Sequence, residues 1–142
     1  MNPDIWNAIE IMFSKHPVMK AGPVAYEEID AAANIAGVKL PEDYREFIHR
    51  YGGAFVGPLP IIGSRKAPAM ARSESSAFEV TERFRRQGWG AVKDWLIISV
   101  DHAGNPIGLD RDGKVWIHDH DAGVIEPIAE NFEDFLRKRC LK

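Results

Sequence analysis

The sequence carries one cysteine, Cys140, close to its end, so no intrachain disulfide can form and a disulfide-stapled secreted scaffold is excluded. No stretch approaches the roughly 20 consecutive apolar residues that a membrane helix needs. The opening residues, Met1 to Phe13, lack a basic lead into an apolar run and carry Asp4 and Glu10, the wrong pattern for a secretory signal. Together these absences predict a cytoplasmic protein in a reducing compartment. Also missing are a Gly-x-Ser-x-Gly elbow, a phosphate-cradling glycine loop and a Gly-x-Gly-x-x-Gly fingerprint, so the usual signatures of hydrolases and nucleotide-binding enzymes are not there. Internal repeats and low-complexity runs are absent too.

What remains is the composition of an ordinary globular chain. Hydrophobic residues make up 45% and charged residues 27% of 142. A chain this long buries roughly 68–70% of its unfolded surface, enough for a core without staples, and residues 1–142 are read as one domain. The net charge is −3 but unevenly spread. From Asp94 to Asp134 ten acidic residues face two basic ones, a local balance of −8. The pI near 5.9 and this acidic half argue against nucleic-acid binding, although Arg65, Lys66, Arg72, Arg83, Arg85 and Arg86 cluster earlier in the chain.

Periodicity divides the chain into helices first and strands later. Ile5, Trp6, Ile9, Met12 and Phe13 fall on one helical stripe bounded by Pro17. A second helix is expected over Tyr26 to Ala36, with Ile29, Ala33 and Ile35 inward and Gly37 beyond its end. The best-marked helix follows. Pro41 suits its first position, Glu42 and Asp43 complement its positive end, Tyr44, Phe47, Ile48 and Tyr51 repeat with helical spacing, and Gly52 closes it. Ala54 to Ile62, broken by Gly57, Pro58 and Pro60, reads as short extended pieces that proline confines to an edge or a bulge. Gly63 to Ser76 is polar and irregular, the segment expected to be mobile. Phe78 to Gln87 returns to helical spacing through Val80 and Phe84.

From Trp95 the period becomes that of strands: Trp95 to Val100, Ile107 to Asp110, Val115 to His118 and a short piece Val124-Ile125. Asp112-Gly113 fits a two-residue hairpin loop, and it also fits the second half of a four-residue loop Asp110 to Gly113. The two alternatives differ in register and leave the facing of Trp116 open, whereas Trp95 is expected in the core. Asn131 can cap a last helix with Phe132, Phe135 and Leu136 inward and Asp134 answering the cap. This order predicts an α+β domain with helices packed on one side of a small antiparallel sheet.

Two stretches resemble a known family. Leu40-Pro41-Glu42-Asp43-Tyr44-Arg45-Glu46-Phe47, running to Tyr51-Gly52-Gly53, is the first. Gly108 to Trp116, then His118 to Asp121 and Ile128 to Leu136, is the second. A Leu-Pro helix ending in glycines, an Asp-x-x-Gly hairpin, a His/Asp-rich strand end and a closing Phe-x-x-Phe-Leu helix resemble the SUKH superfamily, over about residues 25–141. Residues 1–24 form an N-terminal helix and connection outside it. The family includes yeast cell-wall-assembly regulators and bacterial immunity proteins. The resemblance implies a cofactor-free binding module, an antitoxin for a cognate toxin that is often a nuclease, or else a regulatory scaffold.

His118-Asp119-His120-Asp121 is the most chemical segment. As a strand it would put both histidines on one face, and a metal-dependent hydrolase would need His102 or Asp101 as further ligands, so a polar strand end entering a turn accounts for it better. Asp110 and Asp112 flank a tight turn, where aspartate serves backbone bonding. No catalytic, metal or cofactor residues are assigned. The expected partner-binding residues are Asp101, Asp110, Asp112, His118, Asp119, His120, Asp121 and Glu126, gathered around the hairpin end to meet the cationic surface of a toxin.

Overall fold

A computed structural model describes residues 1–71 and 75–141. Helices come first: α1 (Pro3–Lys15), α2 (Tyr26–Ala36) and α3 (Glu42–Tyr51). A two-stranded antiparallel hairpin follows, β1 (Ala54–Val56) and β2 (Leu59–Ile61), then α4 (Ala77–Arg86). Next comes a four-stranded antiparallel meander, β3 (Leu96–Val100), β4 (Pro106–Leu109), β5 (Val115–Asp119) and β6 (Val124–Ala129), in that spatial order. The chain closes with α5 (Phe132–Phe135), continued by a π-helical turn Leu136–Cys140. The α+β class read from the sequence is the observed one. Among the described residues no helix is long and apolar enough to cross a membrane.

Aromatic residues placed by helical spacing hold the helices together. Tyr44, Phe47 and Tyr51 lie on one stripe of α3 because positions three and four apart share a face. Phe132 meets Tyr44 and Phe47 edge-on, with ring centroids 5.3 and 5.4 Å apart. Tyr51 meets Phe13 of α1 at 4.9 Å. Edge-to-face pairs of this kind add about 0.5–1.5 kcal/mol each beyond the area they bury. The N-terminal helix is therefore built into the same core as the rest. Tyr44 donates from its hydroxyl to the carbonyl of Ile62 at 2.6 Å, and burial holds the phenol well above the usual tyrosine range.

Several boundaries and facings differ from the sequence-based expectation. Ile35 is 90% exposed rather than inward, because six residues after Ile29 it has turned about 120° off the stripe that Ile29 and Ala33 bury. Pro41 is the residue before α3 rather than its first, with extended backbone. The helix α4 begins one residue early because Ser76 caps it, accepting from the backbone N–H of Glu79. Asp134 reaches back to the N–H of Glu130, one residue before the cap Asn131, instead of closing a regular capping box. The fourth strand runs six residues rather than two, and Pro127 is tolerated there because β6 is an edge. Within Gly63 to Ser76, the described part is fastened down: Gly63, Ala67 and Met70 are buried and Arg65 pairs with Glu28. Residues 72–74 of that segment lie outside the described residues.

The β4–β5 turn takes neither of the two expected registers: Leu109 pairs with Val115, so five residues, Asp110 to Lys114, lie between the paired positions. Within them Asp110 to Gly113 form a four-residue turn closed by the N–H of Gly113 on the carbonyl of Asp110, with Gly113 at φ 83°. Gly108 then pairs with Trp116. This places Trp116 half-buried, stacked on Trp95 at 6.2 Å and donating from Nε1 to Asp110.

The sheet is joined to its neighbours by single hydrogen bonds to buried groups. The N–H of Ile62 donates to the carbonyl of Ile98, continuing the small hairpin into β3. Thr81 of α4 donates from Oγ1 to Ala77 and accepts from the buried N–H of Ile97 at 2.8 Å. Thr81→Val keeps the shape but leaves that N–H unpaired, so denaturant unfolding should show a loss of about 1–3 kcal/mol. At α5, the N–H of Glu130 and then Lys138 hold the Asp134 carboxyl below the usual aspartate range. A depressed carboxyl stabilises the fold above its unfolded pKa, near 4, and loses that contribution as pH falls through the folded value. Asp134→Asn should therefore melt earlier than the parent at pH 6, with the gap narrowing below about pH 4.

Candidate functional site

An antiparallel meander puts alternate turns at opposite ends, and this decides which acidic residues meet. The β3–β4 turn (residues 101–105) and the β5–β6 turn (residues 120–123) share one end of the sheet. The β4–β5 turn, with Asp110 and Asp112, lies at the other. The structure thus brings Asp101, Asp119, His120 and Asp121 together, and separates Asp110 and Asp112 from them. Glu126 is exposed along the edge strand β6, opposite Ile117, and His118 pairs with Ile125.

At the shared end, one buried side chain joins the two turns. Asp101 accepts from the N–H groups of Ala103 and Asn105 at 3.0 and 2.8 Å, and its second oxygen accepts from the Asn105 side-chain amide at 3.0 Å. Asn105 is 2% exposed. Its carbonyl oxygen accepts from the backbone N–H of His120 and bonds the ring Nδ1 of the same residue. An amide oxygen can only accept, so Nδ1 carries the proton and Nε2 is left facing Asp121 at 3.3 Å. Asp119 fixes the second turn by accepting from Asp121 and Ala122. The result is an acidic end tied together by these bonds, with the Asp121 side chain 72% exposed.

Behind this end sits Trp89, its ring edge-on to both His118 and His120 with centroids 5.0 and 5.3 Å apart. His118 and His120 share a face, as an extended strand requires, but they flank an indole instead of a metal position. Among the described residues no three His, Cys, Asp or Glu side chains are placed to hold a metal ion, and His102 stands exposed in the β3–β4 turn. Cys140 is buried, and burial pushes its thiol up to about 12. A thiol held protonated is a poor nucleophile.

Two contributors to this site are absent from the expected set. Asn105 carried a usable signal, since Asn-Pro just before a strand is a turn marker. Trp89 carried none, because the turn Gly90–Asp94 that brings it to the histidines has no periodicity to read.

A model of the SMI1 / KNR4 family (SUKH-1) matches residues 23–138. The chain belongs to that family. The match runs from the connection before α2 into the π-helical turn, and so takes in both ends of the meander. It leaves α1 outside, although α1 supplies Ile5, Trp6, Ile9 and Phe13 to the core. The SUKH-1 family is generally non-catalytic, and membership points to protein–protein interaction. A search of curated proteins finds no significant match to the chain.

The bridge through Asn105 makes a prediction. Asn105→Ala removes the partner of the His120 backbone N–H, of the His120 ring and of an Asp101 carboxylate oxygen at once, so it should cost about 1–3 kcal/mol in unfolding and speed amide exchange at His120 and Ala122. Exchange at those amides equal to that of the parent would show that the two turns hold themselves.

Proposed function

We propose that this chain is a non-enzymatic module that binds one protein partner, an immunity protein neutralising a cognate toxin, with the acidic end of the meander as its contact surface. Family membership supports the binding role. The observation that carries the finer reading is the tie between two turns through Asn105, which presents Asp101, Asp119, Asp121 and His120 as one fixed group.

The physical case rests on preorganisation and charge. A nuclease holds phosphates with cations, so an acidic surface competes for the same groups and is steered towards them before contact. The Asp101 and Asp119 carboxylates, already held by their own turns, lose little freedom on binding, which lowers the cost of association. The exposed apolar pair Val124 and Ile125 lies next to Asp121 at the start of β6 and offers an apolar centre beside the charged rim. Asp110 contributes differently. Its oxygens accept from the N–H groups of Asp112 and Lys114 and from Trp116 Nε1, so it serves the opposite turn, and charge reversal there would test folding rather than binding.

Asp121→Lys combined with Glu126→Lys alters two exposed groups without touching a turn bond made by a carboxylate oxygen of either residue. Stopped-flow association with the product of the adjoining gene should slow by about tenfold or more at low ionic strength, with the difference shrinking as salt is added. Equal rates would remove the acidic end from the interface. Failure of the adjoining gene product to form a complex with the unaltered chain would overturn the immunity reading itself.

A further inference from the structure

A second surface of opposite sign lies at the other end of the sheet. Residues 36–41, the connection from α2 to α3, face residues 93–96 and 109–111 across a cleft of about 350 Å³. Its floor is apolar, with Leu40, Trp95, Leu96 and Leu109 each less than a tenth exposed. Its mouth carries Lys39, Arg85, Lys93 and Arg111 from four separate segments. Within the described residues Lys39, Lys93 and Arg111 make no ion pair. Arg85 is held in place by the carbonyls of Val92 and Trp95 and lies 4.0 Å from the Glu82 carboxylate. Of the two acids at the cleft, Asp110 is spent on its own turn and on Trp116, and Asp94 stands exposed.

We infer that this cleft binds an acidic peptide segment, extended in conformation, with one apolar side chain seated between flanking carboxylates. The volume lies at the small end of ligand sites, enough for an anchor side chain on the apolar floor. Cations on four separate segments favour an extended occupant that bears several carboxylates over one with a single anionic group. One wall also has main-chain groups to offer: the backbone of Lys39 and Leu40 makes no hydrogen bond to any described residue. An extended peptide uses such groups directly, as in strand-addition recognition. Because this end is opposite the acidic one, a module occupied here remains free to engage a cationic partner at the other.

The test is a titration of the full ¹⁵N-labelled chain followed by amide resonances. The probes are acetyl-Asp-Glu-Phe-Asp-Glu-amide, its counterpart with lysine at every acidic position, and phenylacetate. The acidic peptide should shift resonances of residues 38–40, 93–96 and 109–111. Lys39→Glu with Lys93→Glu should weaken it by about tenfold or more at low salt, since two attractive exposed contacts become repulsive. Lys39→Arg with Lys93→Arg should bind as the parent does, which separates lost charge from lost fold, and circular dichroism of both variants checks the fold directly. The inference is overturned if the acidic peptide leaves those resonances unmoved, if the lysine peptide binds as tightly, or if the glutamate variant binds unchanged. Phenylacetate binding as tightly as the peptide would overturn the multi-carboxylate occupant.

Discussion

Three segments of backbone cross at Tyr51-Gly52-Gly53, and they approach so closely that no side chain fits between them. The carbonyl of Gly52 accepts from the N–H groups of Ser64 and Arg65, while those of Tyr51 and Gly53 accept from Gly22 and Ala21. A Cβ on Gly63 would lie 2.3 Å from the Gly52 oxygen, and one on Gly53 would lie 2.1 Å from that of Arg65. The end of α3 is thereby fixed to the chain on both sides of it. Ile62 carries the constraint onward, since its carbonyl takes the Tyr44 hydroxyl and its N–H reaches β3. Sheet and helices hold one relative position, and both ends of the meander inherit it.

The meander converts a sequence-local excess of acid into two different surfaces. Turns at residues 101–105 and 120–123 share an end and concentrate carboxylates there, while the turn at 110–113 is carried to the far end. At that far end the acidic Asp110 is consumed internally, and cations from α4 and the α2–α3 connection dominate the rim. The protein is therefore electrically polar along its strands, a property hidden by a net charge of only −3.

Much of the fold was legible because it rests on local chemistry. The aromatic stripe of α3, its glycine stop, the inward Phe132, Phe135 and Leu136, and the α+β order all follow from period and caps. Ile35 was misplaced because an apolar residue near a stripe need not lie on it. Two strands expected to form a hairpin did so, but the turn residues Asp110 and Asp112 were grouped with Asp119 and Asp121 by proximity in sequence, whereas sheet topology sends alternate turns to opposite ends. The family likeness was legible in motifs, and those motifs are fold determinants: Leu40 is core, and Gly113 lies against Pro41. Binding surfaces have no such local rule.

Gly57, at the turn between β1 and β2, sits directly beneath the backbone of Cys140, where a Cβ would come within 2.0 Å of the Cys140 oxygen. Glu133 likewise takes a hydrogen bond from Asn2 and gives one to Asp43, far back in the chain. Residues 132–140 thus close a core that earlier segments outline. During synthesis the Tyr44 and Phe47 face of α3 emerges without its cover and stays unsealed until Phe132 has followed it. A chain lacking residues 132–140 leaves that aromatic face open to water.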